Sequence, residues 1–405
     1  MDSYKPTRQT GYINQAILKV ASRCNLNCSY CYVYNMADST WASRPPLMTD
    51  EVFELALGRI LQQCQATGQK QFRIGFHGGE PCLIGADRFD GWCARIRAVL
   101  GGLVRLSLVI QTNGTLLDGR WVDALRKHRV SVGISMDGPK EIHDTARVDR
   151  GGRGSYERVE RGLRLLQEAE IPYGVGCVIP LGADPLIVHE HFLRLGCSKI
   201  TYLMPHYTHD TISSVRRRYG ATPCADFLIP IFDHWWFEST MDVQIEDLKN
   251  VARVIMGGRS LSEGIGNDPP CYVFIEPDGD IEGLDNLRAC RDGLSQTKLN
   301  VRDADFSQLL RSDTMHAQAI FEGMPLAQTC RNCREGETCG GGYLAHRYSS
   351  DRGFDNPSVW CADLLKLFAH VRARMGVSVE ETKERRRMIA AQDTAGLAAL
   401  DACVS

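Results

Sequence analysis

Three cysteines stand close together near the start of the chain, in the stretch CNLNCSYCY. They are Cys24, Cys28 and Cys31, and three thiolates at this spacing can hold three irons of a [4Fe–4S] cube. Ferredoxin-type electron carriers use four cysteines per cube, so the fourth iron here is left for a small molecule to chelate. A structural zinc site needs four ligands, and the sequence has no fourth cysteine nearby. The spacing therefore predicts a catalytic iron–sulfur cluster.

A second group of cysteines lies in the last third of the chain. Its members are Cys330, Cys333, Cys339 and Cys361, a short run with one partner further on. Four thiolates can close an iron–sulfur site, and the same set also suits zinc. The chain from 296 to 360 offers little continuous apolar sequence, so we expect a bound metal to stabilise this part.

The composition is that of an ordinary globular protein. Apolar residues make up 43% and charged residues 24% of the 405 residues, and the net charge is −2. No charge excess favours nucleic acid or an anionic membrane, and no apolar run is long enough to span a bilayer. The start of the chain lacks the apolar segment of a signal peptide. We therefore expect a cytoplasmic protein whose clustered cysteines bind metal rather than form disulfides.

The elements that must position these groups follow from hydrophobic patterning. Six apolar runs alternate with amphipathic stretches over 50–66, 87–100, 118–128, 156–170 and 185–195. This alternation predicts an α/β fold, a partial (β/α)6 TIM barrel whose βα loops gather the active-site groups. Further on, CYVFIEPDGDIEG predicts a hairpin that turns at Asp278-Gly279.

We expect four parts in the chain. The predicted order is a barrel over 12–215, a helical bridge over 216–270, a loop-rich iron–sulfur domain over 271–362, and a C-terminal helix and tail over 363–405. The aromatic cluster FDHWWF in the bridge favours packing over a substrate platform. The stretch before Cys24 is short, so we expect no separate recognition domain ahead of the barrel.

The first cysteine loop resembles the CxxxCxΦC element of radical S-adenosylmethionine (SAM) enzymes, with Tyr30 as its aromatic residue. The resemblance implies that SAM binds the open iron and is reductively cleaved to a 5′-deoxyadenosyl radical, which abstracts a substrate hydrogen. The segment from His77 to Pro81, HGGEP, resembles the GGEP element of the same family. Glycines there let the backbone approach a ligand closely.

The same resemblance implies a SAM pocket built from strand ends. In it Glu80 binds the ammonium of SAM, Ser135 contacts the ribose and Arg147 binds the carboxylate with its guanidinium fork. Leu203 either packs on the adenine or belongs to the core. The pocket residues implied in this way are Tyr30, His77, Gly78, Gly79, Glu80, Ser135, Arg147 and Leu203.

The second cysteine group resembles the SPASM domain of this superfamily, in which its four positions ligate an auxiliary [4Fe–4S] cluster. The usual run ends in one more cysteine that serves a first auxiliary cluster, but Tyr343 stands at that position. Cys271 and Cys290 resemble two further ligands of that first cluster, or they are core thiols. The resemblance therefore implies two clusters, or three if Cys271 and Cys290 ligate one.

Longer stretches, CNLNCSYCYVYNMADSTWASRPPLM and CGGGYLAHRYSSDRGFDNPSVWCADL, resemble the FxsB/GrrM-type peptide maturases. The resemblance implies a ribosomal precursor peptide with leader and core as substrate, and a flavodoxin or ferredoxin as electron donor. It implies a crosslink between a side-chain Cβ and an aromatic ring, a cyclophane. Ether or thioether crosslinking, epimerisation and formylglycine-type sulfatase maturation remain alternatives, as does a non-enzymatic iron–sulfur or zinc protein.

Three residues are candidates for the base that this chemistry needs. His206 and Asp210 follow the sixth predicted strand, and Asp292 lies near the auxiliary domain. Sulfatase-maturing enzymes place an aspartate directly after the cysteine equivalent to Cys290, whereas Arg291 stands here. This departure weakens the formylglycine interpretation.

Overall fold

Ten strands form one mixed sheet in the computed structural model, which describes residues 12–238 and 243–404. In chain order the strands are β1 (Gln15–Ala21), β2 (Gln71–Gly78), β3 (Arg105–Thr112), β4 (Ser131–Ser135), β5 (Tyr173–Val178), β6 (Lys199–Leu203), β7 (Gln244–Ile245), β8 (Tyr272–Ile275), β9 (Asp280–Glu282) and β10 (Gln296–Asn300). The spatial order is β10-β9-β8-β1-β2-β3-β4-β5-β6-β7.

Helices flank this sheet and fill the C-terminal part. They are α1 (Asp50–Thr67), α2 (Ala86–Leu100), α3 (Gly119–Lys127), α4 (Lys140–His143), α5 (Tyr156–Glu168), α6 (Pro185–Arg194), α7 (Ser213–Tyr219), α8 (Pro223–Asp233), α9 (Glu246–Ile255), α10 (Phe306–Arg311), α11 (Met315–Phe321), α12 (Gln328–Arg331), α13 (Gly336–Cys339), α14 (Cys361–Met375) and α15 (Val379–Val404). None of the described helices combines the length and the apolar character needed to cross a membrane.

The six strands β1 to β6 pair in sequence order and in parallel, with helices between them. This arrangement confirms the predicted partial barrel. Side chains alternate between two faces: Phe72, Ile74 and Phe76 of β2 are buried in the core, while Arg73 and His77 line the barrel cavity. Strand β2 therefore directs alternate side chains to the core and to the cavity.

The sheet extends beyond the six predicted strands at both edges. On one side β8 pairs in parallel with β1, and β9 and β10 follow in antiparallel order. The hairpin predicted to turn at Asp278-Gly279 joins β8 to β9, and Gly279 has a φ of +92° that suits this turn. The C-terminal part is thus fastened to the first strand of the barrel.

The predicted helical bridge is interrupted in its centre. Between α8 and α9 lie a five-residue π-helix, His234–Glu238, and the short strand β7, which pairs with β6. The aromatic cluster packs as predicted, since Phe232 stacks on Trp236 at 5.4 Å between ring centroids and Trp235 is buried. By contrast, the C-terminal helix expected at the start of 363–405, for which the helical pattern runs over 361–375, coincides with α14. The stretch after it, predicted as a tail, forms the further helix α15.

A buried network of charges joins β1 to the β8–β9 hairpin. Lys19 lies 3.1 Å from Glu276, and Arg288 lies 2.9 Å from Glu276 and 2.8 Å from Asp285. Lys19 also pairs with Asp285. Burial alone would raise the pKa of Asp285, but Lys19 and Arg288 lower it well below its ordinary value. The acidic groups here are neutralised by basic side chains, so this cluster is structural.

Candidate active site

The loop of three cysteines follows β1 and lines a barrel cavity of about 980 Å³. Backbone hydrogen bonds hold the loop against residues 146–148. Asn27 N donates to Val148 O at 2.7 Å, and Ser29 N donates to Ala146 O at 3.0 Å. All three thiols line the cavity. The structure therefore brings the predicted cluster ligands together at the carboxyl ends of the strands.

Burial keeps the loop thiols protonated in the absence of a cation. It raises the pKa of Cys24 to about 12, and it raises that of Cys28 to about 11 although Arg147 lowers it. Metal ligation requires thiolates, so the bound cluster supplies the positive charge that stabilises them.

The spacing of the thiols does not match a single zinc ion. Thiolates around one zinc lie about 4 Å apart, because each Zn–S bond is about 2.3 Å long. Within 12–238 and 243–404, the only trio of His, Cys, Asp or Glu ligand atoms that all lie within 4.8 Å of one another is Glu276, Glu282 and Asp285. Neither cysteine group therefore brings three thiols within 4.8 Å of one another in the part of the chain that the structure describes, as a preformed zinc site would.

Glycines after β2 bring the backbone against the end of β1. Gly78 has a φ of +140°, and an added Cβ would lie 2.3 Å from the carbonyl oxygen of Ala21. A Cβ on Gly79 would lie 2.2 Å from the carbonyl oxygen of Arg23. Only glycine fits at these two positions, and the close approach directs the next residue into the cavity.

Glu80 is buried and held by three donors. Its carboxylate accepts hydrogen bonds from Asn113 N at 2.8 Å, Cys82 N at 3.0 Å and the Thr112 hydroxyl at 2.5 Å. Burial raises the pKa of Glu80, and these donors oppose the rise. Beside it, Nδ1 of His77 is a buried nitrogen for which the described residues offer no hydrogen-bond partner. A fixed carboxylate and an unsatisfied ring nitrogen suit a polar ligand such as SAM.

The predicted ribose contact belongs to a polar pair on neighbouring strands. Gln111 Nε2 donates to Ser135 Oγ at 2.9 Å, and both side chains line the cavity. Gly133 makes room for the pair, since an added Cβ would lie 2.1 Å from Oε1 of Gln111. Leu203 also lines the cavity, at the end of β6.

Arg147 is anchored by an aspartate that sequence reasoning did not single out. Its Nε donates to Asp137 Oδ2 at 3.0 Å, and the Tyr30 hydroxyl donates to the same oxygen. The other oxygen of Asp137 accepts from Val178 N at 3.0 Å. The guanidinium lies over the Tyr30 ring, 5.4 Å from its centroid. Asp137 directly follows the ISM run of β4, and its place at a strand end was the available signal.

Of the three candidate bases, the structure places His206 in the cavity and the other two outside it. Asp210 accepts a hydrogen bond from Ser350 N at 3.0 Å, and Asp292 accepts from Ser39 N at 2.6 Å. Neither aspartate lines the cavity.

His206 belongs to a group of packed rings, of which His346 is buried and the others are half-buried. Its Nδ1 lies 3.1 Å from His346 Nε2, and its ring centroid lies 5.1 Å from that of Tyr32 and 5.6 Å from that of Tyr343. Burial lowers the pKa of His206 to about 4 and that of His346 well below its ordinary value. Both imidazoles are neutral at physiological pH and can accept a proton. Sequence reasoning missed His346, for which no local pattern gave a signal.

The second cysteine group also converges. A turn connects Cys330 to Cys333. It is closed by a hydrogen bond that Cys333 N donates to Cys330 O at 3.2 Å. Burial raises the pKa of Cys339 to about 12, with the neighbouring Cys361, Cys330 and Cys333 adding to the rise. The segments that carry Cys330 and Cys333, Cys339 and Cys361 thus face one another, as ligands of one shared cluster must.

Cys271 and Cys290, two further cysteines of the C-terminal part, differ in their surroundings. Cys271 is buried immediately before β8 at a positive φ of +52°. The thiol of Cys290 donates to the carbonyl oxygen of Ala345 at 3.7 Å.

Comparison with known proteins finds related sequences and folds. Residues 18–212 match the sequence family described as the radical SAM superfamily. The cysteine-type anaerobic sulfatase-maturating enzyme of Clostridium perfringens (strain ATCC 13124) is 27% identical over 369 residues, which cover 89% of this chain and 96% of that enzyme. The serine-type anaerobic sulfatase-maturating enzyme of Bacteroides thetaiotaomicron is 23% identical over 402 residues, 94% of each chain.

Solved structures share the fold over most of the chain. Native anSMEcpe with bound AdoMet and Cp18Cys peptide matches with a TM-score of 0.73 and 23% identity, covering 89% of this chain and 97% of that one. Streptococcus suis SuiB bound to precursor peptide SuiA matches with a TM-score of 0.55 and 15% identity, covering 83% and 72%. The α/β barrel with its C-terminal extension is therefore common to all three.

Proposed function

We propose that this radical SAM enzyme, whose residues 18–212 belong to that superfamily, modifies a side chain of a ribosomally made precursor peptide. The modification is an intramolecular crosslink between a side-chain Cβ and an aromatic ring, a cyclophane. Similar proteins whose names mark them as sulfatase maturases, and solved structures named with bound peptides, support a peptide or protein substrate.

The chain binds a [4Fe–4S] cluster and SAM. When bound and reduced, they supply a 5′-deoxyadenosyl radical that removes one hydrogen atom from the substrate. Cys24, Cys28 and Cys31 hold the cluster, while Glu80 and Arg147 receive the ammonium and the carboxylate of SAM. Ser135 and Leu203 contact the ribose and the adenine. Enclosure of these groups in the barrel cavity keeps a reactive radical away from water.

The observation that carries the crosslinking proposal is the position of His206. It shares the cavity with the SAM-pocket residues, while Asp292 is directed to Ser39 outside it. The sequence has Arg291 where sulfatase-maturing enzymes resembling this chain carry an aspartate. Of the three candidate bases, the one that lines the cavity is thus an imidazole.

An imidazole of low basicity is sufficient for a crosslink. The substrate loses one hydrogen atom from Cβ, the new carbon–carbon bond forms to the ring, and the ring then loses a proton and an electron. Because the ring regains aromaticity in that last step, a weak base can accept the proton. His206 accepts the proton, and Cys330, Cys333, Cys339 and Cys361 would hold the cluster that could take up the electron. A flavodoxin or ferredoxin supplies the electron that starts each turnover.

Formylglycine formation is the second candidate, favoured by the 27% identity to the sulfatase-maturating enzyme. It oxidises a cysteine or serine side chain to an aldehyde. The two functions therefore differ in product chemistry and can be separated directly.

The experiment is co-expression with each short peptide encoded beside the gene, followed by mass spectrometry. We expect loss of two hydrogen atoms, resistance to backbone fragmentation between the joined residues, and no reaction with a hydrazide probe. A sulfatase-derived peptide with a cysteine or serine target serves as the matched substrate. An aldehyde on that peptide, with no crosslink on the others, would establish formylglycine formation instead.

A further inference from the structure

We infer that this chain builds no first auxiliary cluster and that a group of packed rings, Tyr343, His206 and His346, takes its place. The inference concerns the number of clusters and does not depend on which substrate is modified. It begins from the missing cysteine at position 343.

The side chain of Tyr343 is directed into the protein. It therefore occupies the place that a cluster ligand from another part of the chain or from the substrate would need. The phenol ring lines the barrel cavity, with its centroid 5.6 Å from that of His206 and 5.2 Å from that of His346. Burial raises the pKa of Tyr343 above its ordinary value, which keeps the phenol protonated and a poor metal ligand.

The wall behind the ring is closed. An added Cβ on Gly264 would lie 2.4 Å from Cε2 of Tyr343, so the ring packs directly on the 263–266 backbone. That segment is held to the cysteine run, because Gly266 N donates to Cys339 O at 2.7 Å. A Cβ on Gly340 would lie 2.1 Å from the carbonyl carbon of Gly266. The ring and the backbone are thus packed closely on this side of position 343, while the opposite face of the ring lines the cavity.

The remaining thiols are too few for such a cube. Cys271 and Cys290 have no cysteine between them in the sequence, whereas a closed [4Fe–4S] cluster takes about four ligands. The thiol of Cys290 already donates to Ala345 O at 3.7 Å, and Cys271 is 1% exposed. The structure thus shows one buried and one half-buried thiol at these positions.

Replacement of a cluster by rings changes what this side of the cavity can do. A cluster would exchange electrons, whereas the hydrogen-bonded imidazole pair, 3.1 Å apart, can only accept and pass a proton. Electrons must then leave through the site of Cys330, Cys333, Cys339 and Cys361, whose third member stands four residues before Tyr343.

The test is an iron and sulfide count on the anaerobically reconstituted full chain, without substrate. We expect about eight irons per chain, four for each of two [4Fe–4S] clusters. Cys290→Ser and the double variant Cys271→Ser with Cys290→Ser should keep that count, and so should Tyr343→Phe. Cys330→Ser is the matched control and should reduce the count to about four irons.

A count of about twelve irons in the unaltered chain would overturn the inference. So would the loss of about four irons in Cys290→Ser or in Tyr343→Phe, which would reveal a thiolate or phenolate ligand. The count on the unaltered chain decides the matter even if the double variant does not fold. Failure of the crosslinking assay would leave the count unchanged, so the two proposals fail separately.

Discussion

At the scale of single residues, Arg147 owes its orientation to Asp137. The carboxylate receives the guanidinium on one oxygen and Val178 N on the other, so it is fixed from two sides. A guanidinium placed in this way can meet the carboxylate of SAM without first losing side-chain entropy.

Asp137→Asn should therefore weaken SAM binding. A hydrogen bond to a charged group contributes about 1.5–3 kcal/mol, so we expect the Kd for SAM to rise about 10–100-fold. Equilibrium dialysis with the reconstituted protein measures it. Asp123→Asn, which makes the same change of charge on the exposed face of α3, is the control and should leave the Kd unchanged. An unaltered Kd in Asp137→Asn would show that Arg147 does not bind SAM through this arrangement.

His206→Gln tests the imidazole as proton acceptor. We expect crosslinked product to fall about 100-fold, because general bases contribute at least that much, while cleavage of SAM continues. The ratio of 5′-deoxyadenosine to product, followed by liquid chromatography, should rise accordingly. His346→Leu should raise the same ratio by a smaller factor, since it removes only the partner that orients His206.

His209→Gln supplies the comparison for this pair of variants. His209 lies three residues from His206, but its ring contacts the carbonyl oxygen of Pro357 at 2.8 Å, away from the cavity. It should keep the normal ratio. Product formed at the normal rate by His206→Gln would remove this residue from the mechanism.

At the scale of elements, α6 is joined to β6 by a buried histidine that responds to pH. Nδ1 of His189 lies 2.9 Å from the Tyr202 hydroxyl, and the His234 ring packs on it with centroids 5.4 Å apart. Burial, with His234 adding to it, lowers the pKa of His189 to about 4. The unfolded chain takes up this proton near its ordinary pKa, so the stabilising effect is complete above that value. It is lost progressively as the pH falls towards 4.

We expect His189→Gln to flatten this dependence. The amide can still hydrogen-bond Tyr202 but does not titrate, so the loss of unfolding free energy between pH 7.5 and pH 5 should shrink by about 2 kcal/mol. Urea unfolding of both proteins at the two pH values measures this change in unfolding free energy. Any effect of the clusters on stability is common to both proteins and cancels in the comparison. An equal loss in both proteins would mean that another group causes the acid sensitivity.

Local elements were largely predictable from the sequence, whereas their distant pairings were not. The helix at 361–375 and the strands of the barrel follow from apolar periodicity, which is a local property. The pairing of β1 with β8 joins Gln15 to Tyr272, and no window of sequence contains both. The break between α8 and α9 was missed because amphipathic stretches on either side continue a helical pattern.

The candidate site divides in the same way. Cys24, Glu80 and Arg147 stand in motifs with fixed spacing, so the sequence alone was enough to infer their chemistry. Asp137 and His346 act through contacts with residues brought near by folding, and their types alone carry no signal. The position of His206 inside the cavity, with Asp292 outside it, likewise required the fold.

At the scale of the whole molecule, the buried charge network holds the barrel and its C-terminal extension together. Arg288→Met would remove one basic partner from the buried acidic groups around it, although Lys19 still pairs with Glu276 and Asp285, and breaking a buried pair costs about 3–5 kcal/mol. We expect a clearly lower melting temperature for the reconstituted protein, measured by thermal unfolding. Arg302→Met removes an exposed pair with Glu51 and should leave the melting temperature nearly unchanged. Equal melting temperatures in the two variants would show that the network adds no stability.

Tyr32, next to the last ligand of the cysteine loop, donates a hydrogen bond to Asp285 at 2.8 Å, and Lys19 of β1 pairs with the same carboxylate 266 residues along the chain. A ribosome adds roughly 5–20 residues each second, so about 10–50 s separate the synthesis of these partners. During that interval the first strand emerges with a lysine whose counter-charge has not yet been made. These contacts can form only after residue 285 of 405 has been made, so loading of the cluster should follow synthesis of about the first two-thirds of the chain.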